Sequence, residues 1–508
     1  VSNYAAQRQV LESARSICNT LMGKGFSTST LIYQEVSNYV RLLQMEELYE
    51  AHLKAADNNL DLDLTVNDTT INIGDTLIAT VTAKALNSII LPKLTVRFDS
   101  SFFTVSTSDT TEKTIAAGGT AGQTSLNYVA NEGGVALITA EVYDESNTLL
   151  YEETVRVLVT GTGWYSSDCH NHSIESDGQD TLTENFLAGY NRGNGFIIAT
   201  DHNAVVANTQ DVDQALSNIN SSGMADFFAL KMSELTGNYG HMLQYGTKTA
   251  YTYGTSIETW QAVFDGIIAD GGACYWAHPF YNGYLYPGVG KDPTNIDVYT
   301  GFTGLEIINT DCIKYAKAMT EESLLALEYW DRMNIKGEQK YFGIANTDAH
   351  ASKYIGDGVN YFLLDEVTEE NINEVLKTGS FYGTNGPQLR FSIDNAEMGD
   401  TLEAEEGTNA TIHVAAADDE SYITKLTLIA YSLNPEDNDS AYEAAERIVL
   451  YSDDGTLAKS FVEITREIEV KHEMFYRVEV ESASNPYLRF AFSNPIWTEF
   501  EPTGTSSG

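Results

Sequence analysis

Val10, Leu11, Ala14, Ile17 and Leu21 recur at spacings of three and four residues, the period that lines one face of a helix. After a break at Gly23-Lys24-Gly25 the pattern resumes with Leu31, Tyr39, Leu42, Leu43, Met45 and Leu48. Residues 1–57 therefore predict a helical segment, a hairpin packed on a neighbour. The period then changes. Leu77, Ala79, Val81 and Ala83 alternate with Ile78, Thr80 and Thr82. Val135, Leu137 and Thr139 alternate, as do Val155, Val157 and Val159, and Gly74-Asp75, Gly118-Gly119 and Gly133-Gly134 separate the runs. Short strands with regular turns predict an immunoglobulin-like β-sandwich over residues 58–160.

From 161 to 390 short apolar runs such as Phe196-Ile197-Ile198-Ala199 follow helix-like stretches such as Leu182 to Tyr190. That alternation predicts βα units in a stretch long enough for a barrel. Strand patterns return at Thr411-Ile412-His413-Val414 and Tyr476-Arg477-Val478-Glu479-Val480. They predict a second β-sandwich over 391–500, and residues 501–508 read as a disordered tail.

Composition narrows the function. The 508 residues carry 29 Lys+Arg against 72 Asp+Glu, a formal net charge of -43. A nucleic-acid surface needs clustered Lys and Arg, so no nucleic-acid partner is expected. Anionic lipid is disfavoured likewise. No apolar run reaches the roughly 18 residues of a membrane span, so no membrane insertion is expected. Cys18, Cys169, Cys274 and Cys312 lie far apart without a C-x-x-C spacing, which indicates neither a zinc finger nor a dense disulfide scaffold. The sandwiches, the acidity and a first residue other than Met lead to the expectation of a secreted or cell-surface bacterial setting.

The histidines carry the chemistry. Of nine, His52, His413 and His472 read as structural or solvated, while His170, His172, His202, His241, His278 and His350 fall together between 170 and 350. In Asp168-Cys169-His170-Asn171-His172 two imidazoles stand at i and i+2, on one face of a strand. Cys169 alternates away from them and reads as a buried small side chain, as does Cys274. Asp177 follows in Ser176-Asp177-Gly178, and Thr200-Asp201-His202-Asn203 follows an apolar strand. Glu234 precedes Gly240-His241, His278-Pro279 ends the run Cys274 to Ala277, and Asp348-Ala349-His350 repeats the i, i+2 spacing. These nine nitrogen and oxygen donors exceed the roughly four that one zinc ion takes. They fit two or three ions, and imidazole with carboxylate suits zinc, manganese or iron.

The set His170-x-His172, Ser176-Asp177-Gly178, Thr200-Asp201-His202, Glu234, His241, His278-Pro279 and Asp348-x-His350 resembles the PHP (polymerase and histidinol phosphatase) superfamily of metallohydrolases, in the order of that family's motifs. Gly383-Thr384-Asn385-Gly386-Pro387 and Ser493-Asn494-Pro495 look like its CehA/McbA branch. The resemblance implies a distorted (β/α)7 barrel flanked by the two sandwiches. It also implies a trinuclear site. His170, His172, Glu234 and Asp348 would hold the first ion. Glu234 would bridge to a second ion on His241 and His278. Asp177, His202 and His350 would hold the third.

The expected function is hydrolysis of a small phosphoester by a metal-activated hydroxide. Glu234 is the central catalytic candidate. Asp201 reads as a hydrogen-bond support of His202 or a proton carrier. Lys353 is a candidate phosphate contact and Asn385 a candidate substrate hydrogen bond. Arg192 reads as structural. A carbamate, amide or ester hydrolase on the same metals is the second expectation, and a non-catalytic binding module the third.

Overall fold

The computed structural model of the chain describes residues 55–87, 89–203, 209–220, 227–237, 240–281, 288–310, 319–404, 407–453, 458–471, 473–483 and 489–500. The helical segment expected over 1–57 lies almost wholly outside these residues, as do Cys18, His52, Cys312, His472 and the tail 501–508. The described residues form two compact units. One comprises residues up to 165 with 182–195 and 210–228; the other comprises 166–181, 196–209 and 229 onward.

The first unit rests on two sheets. One runs Leu60–Val66, Thr76–Ala85, Ala121–Ala130, Val105–Ser106, and the other Thr70–Asn72, Leu149–Thr160, Gly134–Tyr143, Leu94–Ser100, Glu112–Ile115. Leu77, Ala79, Val81 and Ala83 enter the core beside Leu62, Leu64, Leu126 and Tyr128. Strand Gly134–Tyr143 buries Ala136, Ile138, Ala140 and Val142, while Val135, Leu137 and Thr139 are half-buried on its other face. From Val135 to Thr139 both faces carry apolar residues, so that run alone does not choose between them, and Glu141 marks the outer face only further on. Leu137 packs instead on the turn at Gly193, where an added Cβ would lie 3.0 Å from its Cδ1.

The second unit carries the histidine-rich stretch. Its five-stranded sheet runs Ser233–Gly237, Gly240–Tyr245, Ala273–Trp276, Gly304–Asn309, Phe342–Asn346. The first two pairings are antiparallel and the last two parallel. Phe196–Ala199 and Phe228–Lys231 form a separate two-stranded sheet. Among the described residues the pairings give a five-stranded sheet and a two-stranded one, part of the ring of βα units expected. The first pairing is antiparallel because the chain turns back between Gly237 and Gly240. A parallel crossover needs a dozen or more residues, and this turn has room for none.

Helix Ile257–Ala269 starts at a capping box of Ser256 with Thr259, a device that satisfies the first orphan N–H groups. It buries Trp260 and Phe264 against Trp276 at centroid distances of 5.3 and 5.0 Å. Helix Glu321–Lys336 is capped by Thr320 and ends at Gly337 with φ 72°, a left-handed stop that glycine allows. It packs on strand Gly304–Asn309.

The C-terminal strands form a large sheet and a four-stranded one. In the large sheet Phe381–Thr384 pairs with Arg489–Ser493, so residues after 391 share a sheet with residues before 390. Asn494 continues this link, its Oδ1 accepting from Gly343 N (2.7 Å) and its Nδ2 donating to Phe381 O (2.9 Å). His413 is exposed on strand Asn409–Ala417, 3.2 Å from Thr465 Oγ1. Among the described residues no helix is long and apolar enough to cross a membrane.

Candidate metal centre

Four strand ends, the hairpin of Ser233–Gly237 with Gly240–Tyr245, and the loop at Asp177 bring the donors together. Residues 168–172 run between two neighbours: Ile198 N donates to Asp168 O (3.1 Å) and Asp348 N to His170 O (2.8 Å). His172 N then donates to Ala349 O (2.8 Å). These bonds set His170-x-His172 beside Asp348-x-His350. Buried Asp168 ties the same two segments, accepting from Thr347 Oγ1 and from the backbone N–H groups of His170 and Thr347. Burial pushes its carboxyl up to about 7. The bridge between His202 and Glu234 brings the next pair in. His241 arrives on strand Gly240–Tyr245, opposite Thr236.

His278 and Asp348 adopt positive φ, 29° and 55°. Non-glycine residues rarely do so, and such strain persists only where the surroundings enforce it. At His278 the enforcing contact is its N–H to Glu306 Oε2, 2.7 Å.

The nine side chains expected from sequence meet in four overlapping groups: His172, Asp177, His202 and His350; His170, His278 and Asp348; His170, His172 and Glu234; Glu234, His241 and His278. Within each group the donor atoms lie within 4.8 Å of one another. The grouping differs in detail from the family-based division: His172 also joins the Asp177 set, and His278 also joins His170 and Asp348. Glu234 is the hub. Its Oε1 lies 2.9 Å from His241 Nδ1 and 3.2 Å from His278 Nε2, and its Oε2 lies 2.7 Å from His202 Nδ1. His170 Nε2 and His172 Nε2 are 3.2 Å apart, each also about that far from Asp348 Oδ1, at 3.2 and 3.0 Å.

Burial grades across the cluster. The side chains of His170, His172 and Glu234 are 0% exposed, whereas Asp177 is 55%, His350 36% and His202 21% exposed. Burial opposes charge on His170, yet the carboxylates of Asp348, Glu306 and Glu234 outweigh it and hold this imidazole well above its ordinary value. Burial likewise opposes charge on Glu234 and Asp348, but the surrounding imidazoles, His170 foremost, hold both below the carboxylate range. His241 is pushed down by burial. His202 and His278 are raised: burial acts against them, and Glu234 prevails.

The donor set fits divalent ions. His170 Nδ1 faces Glu306 Oε1 at 3.0 Å. With a proton kept there, a neutral ring offers the Nε2 lone pair toward another imidazole nitrogen and two carboxylates. Donor atoms converging at 3.0 to 3.5 Å repel one another unless positive charge, a proton or a metal ion, shares the space.

Glu306 is a residue the sequence reading did not single out. Only 1% exposed, it takes His170 Nδ1 and Asn346 Nδ2 on Oε1 and His278 N and Asn309 Nδ2 on Oε2. The available signal was a lone charge in the apolar strand Gly304–Asn309, since such a charge is almost never buried without partners. Lys231, 7% exposed and paired with Glu175, is a second such case.

The remaining candidates sit as follows. Asp201 fastens a loop: it accepts from Ser173 N and Ser173 Oγ, both 2.8 Å, and from Ser176 Oγ at 2.7 Å. Lys353 is exposed, its Nζ 4.8 Å from the centroid of Tyr354. Asn385, expected to meet substrate, has its Oδ1 accepting from Phe490 N at 2.7 Å. That bond, with Asn385 N to Phe490 O at 3.1 Å, ties its loop to strand Arg489–Ser493. Arg192 N donates to Ala188 O in the turn after helix Leu182–Asn191. Cys169 and Cys274 are buried free thiols, and burial pushes the latter up to about 12.

A small, shallow depression borders the cluster at His278 and Glu306. Pro279, Tyr281, Ile307, Asn309, Glu322 and Ala326 help to line it.

No protein-family model matches the chain, and no curated protein matches it. Solved structures do. A two-domain protein from Bacteroides vulgatus containing a predicted PHP-like metal-dependent phosphoesterase is 14% identical, covering 66% of this chain and 96% of its own, with a TM-score of 0.35. A predicted metal-dependent phosphoesterase from Bifidobacterium adolescentis is 14% identical over 41% of this chain and 95% of its own, TM-score 0.27. The CARDB domain of a Pyrococcus furiosus protein is 21% identical over 20% of this chain and 91% of its own, TM-score 0.16. At TM-scores this low none of these likenesses bears on function, and the donor geometry does.

Proposed function

We propose that this chain is a metal-dependent hydrolase, a phosphoesterase of the PHP type, with two to three divalent ions (zinc, manganese or iron) on His170, His172, Asp177, His202, Glu234, His241, His278, Asp348 and His350. One observation carries the reading: nine imidazole and carboxylate side chains converge in four groups that share Glu234, His170, His172 and His278. Shared donors are what a multinuclear site needs. The contacts of residues 168–172 on both sides also suit a closed barrel, and we read the fold as a distorted (β/α)7 barrel nearest the CehA/McbA branch. The acidity and the sandwich strands favour a setting outside the cytoplasm.

Bound ions would supply an activated water at neutral pH and neutralise charge developing on the phosphoryl oxygens. The chain's own residues do the rest. Glu306 holds His170 with Nε2 facing inward and fixes the bend at His278. Glu234 joins the buried donor groups. The low count of Lys and Arg, and a global field that repels anions, favour a small phosphoester over an anionic polymer.

The test is turnover of p-nitrophenyl phosphate, bis-p-nitrophenyl phosphate and a p-nitrophenyl carbamate by metal-loaded protein. Phosphate ester hydrolysis abolished by Glu234→Ala is expected. Carbamate cleavage alone would move the reading to a carbamate, amide or ester hydrolase on the same ions. No turnover of any ester would support a binding module.

A further inference from the structure

Asp177 belongs to the most exposed donor group, and it stands on the loop Ser173 to Gly178. The loop is wound tightly: Ser176 N and Gly178 N both donate to Ser173 O, at 3.1 and 2.9 Å. Gly178 passes so close to His172 that an added Cβ would lie 2.3 Å from His172 O. Three fastenings hold the loop. Asp201 accepts three hydrogen bonds from Ser173 and Ser176. Glu175 pairs with the ammonium of Lys231. Beyond the loop, Gln179 N donates to His350 O (2.8 Å) and Ser352 N to Asp180 Oδ2 (2.7 Å).

The Lys231 pairing stands out physically. The Lys231 side chain is 5% exposed and that of Glu175 36%. A buried ammonium is costly unless paired, so Lys231 draws Glu175, and the loop with it, toward strand Phe228–Lys231. Three residues along, the same chain supplies Glu234. Lys231 thus anchors the Asp177 loop, while Glu234 is placed by its own strand, Ser233–Gly237, paired with Gly240–Tyr245.

We propose that Lys231 and Glu175, with Asp201, are positioning residues that set the affinity of one metal position, the exposed one at His172, Asp177, His202 and His350. They leave the buried groups around Glu234 and His170 unaffected. The inference rests on the metal-centre reading above. It makes the exposed ion the exchangeable one, held by a loop that an ion pair fastens, while the others are held by strand ends.

The experiment counts metal and measures affinity, independently of activity. Wild type, Lys231→Met and Glu175→Gln are loaded with Mn²⁺, titrated with a chelator, and analysed for metal per chain. Glu175 lies at the surface, so its variant tests the idea even where Lys231→Met folds poorly; Lys231→Arg should restore binding. The expected result is loss of one ion at about 10–100-fold lower chelator concentration in both variants, with the remaining ions unchanged. Retention of every ion at wild-type affinity, or equal weakening of all ions, would overturn the proposal. A wild type that binds no metal would overturn the metal-centre reading itself, and this inference with it.

Discussion

Glu306 Oε1 lies 3.0 Å from His170 Nδ1, and both side chains are fully buried. The contact turns the ring so that Nε2 faces Glu234 and Asp348. The same carboxylate accepts from His278 N, so one side chain positions two imidazoles that follow different strands. Glu306→Gln should weaken metal binding at the buried positions by about 10–100-fold while the fold survives. Chelator titration of the purified variant checks this. Wild-type affinity would show that His170 is oriented by packing alone.

Arg477 and Asp331 form a bidentate pair, Nε to Oδ1 at 2.8 Å and Nη2 to Oδ2 at 2.7 Å, with Tyr431 donating to Oδ2 at 2.7 Å. They join strand Met474–Ser482 to helix Glu321–Lys336. Arg477→Met would strand a buried carboxylate, at a cost of about 3–5 kcal/mol. Adding Asp331→Leu should recover most of that loss. Denaturant unfolding of the single and double variants measures both, and equal destabilisation in the two would contradict the account.

Glu153 predicts a pH dependence in the first unit. Burial raises its carboxyl from 4.5 to about 7, against the opposing hydrogen bond from Leu64 N. The folded state therefore holds a proton that the unfolded state has released between those two pH values. Stability is full below the unfolded pKa and falls as pH rises toward 7. The loss is roughly 1–2 kcal/mol once partial hydration is allowed for. Glu153→Gln should flatten this slope. Thermal unfolding at pH 4.5 and 7.5 decides it, and a variant with the wild-type slope would contradict the assignment.

Asn494 bridges strand Phe342–Asn346 and Phe381. Asn494→Ala leaves the buried Gly343 N–H without that acceptor, at a cost of about 1–3 kcal/mol. The expected readout is a lower melting temperature with metal content unchanged. An unchanged melting temperature would show that the link carries little.

Much of this was legible in the chain. The i, i+2 spacing of His170 and His172 and of Asp348 and His350 places each pair together because strands alternate. Leu77 to Ala83 gave their face away because only one face is apolar. The buried face of Gly134–Tyr143 was not legible from Val135 to Thr139 alone, since both faces carry apolar residues there. Glu306 and Lys231 were passed over because each sits among apolar neighbours, and their partners His170 and Glu175 are distant in sequence. The link from residues 359–384 into the C-terminal sheet rests on long-range pairing, which no local period reports. Asn385 shows the converse: a polar residue in a Gly-Pro loop looks free for substrate, yet its side chain holds Phe490 N.

The central claim is that the donor cluster binds ions. The most direct measurement is elemental analysis of the protein after loading with zinc, manganese or iron and desalting, beside Glu234→Ala and His170→Ala. The account predicts two to three ions per wild-type chain and at least one fewer in each variant. A wild type that retains none of the three metals would contradict it.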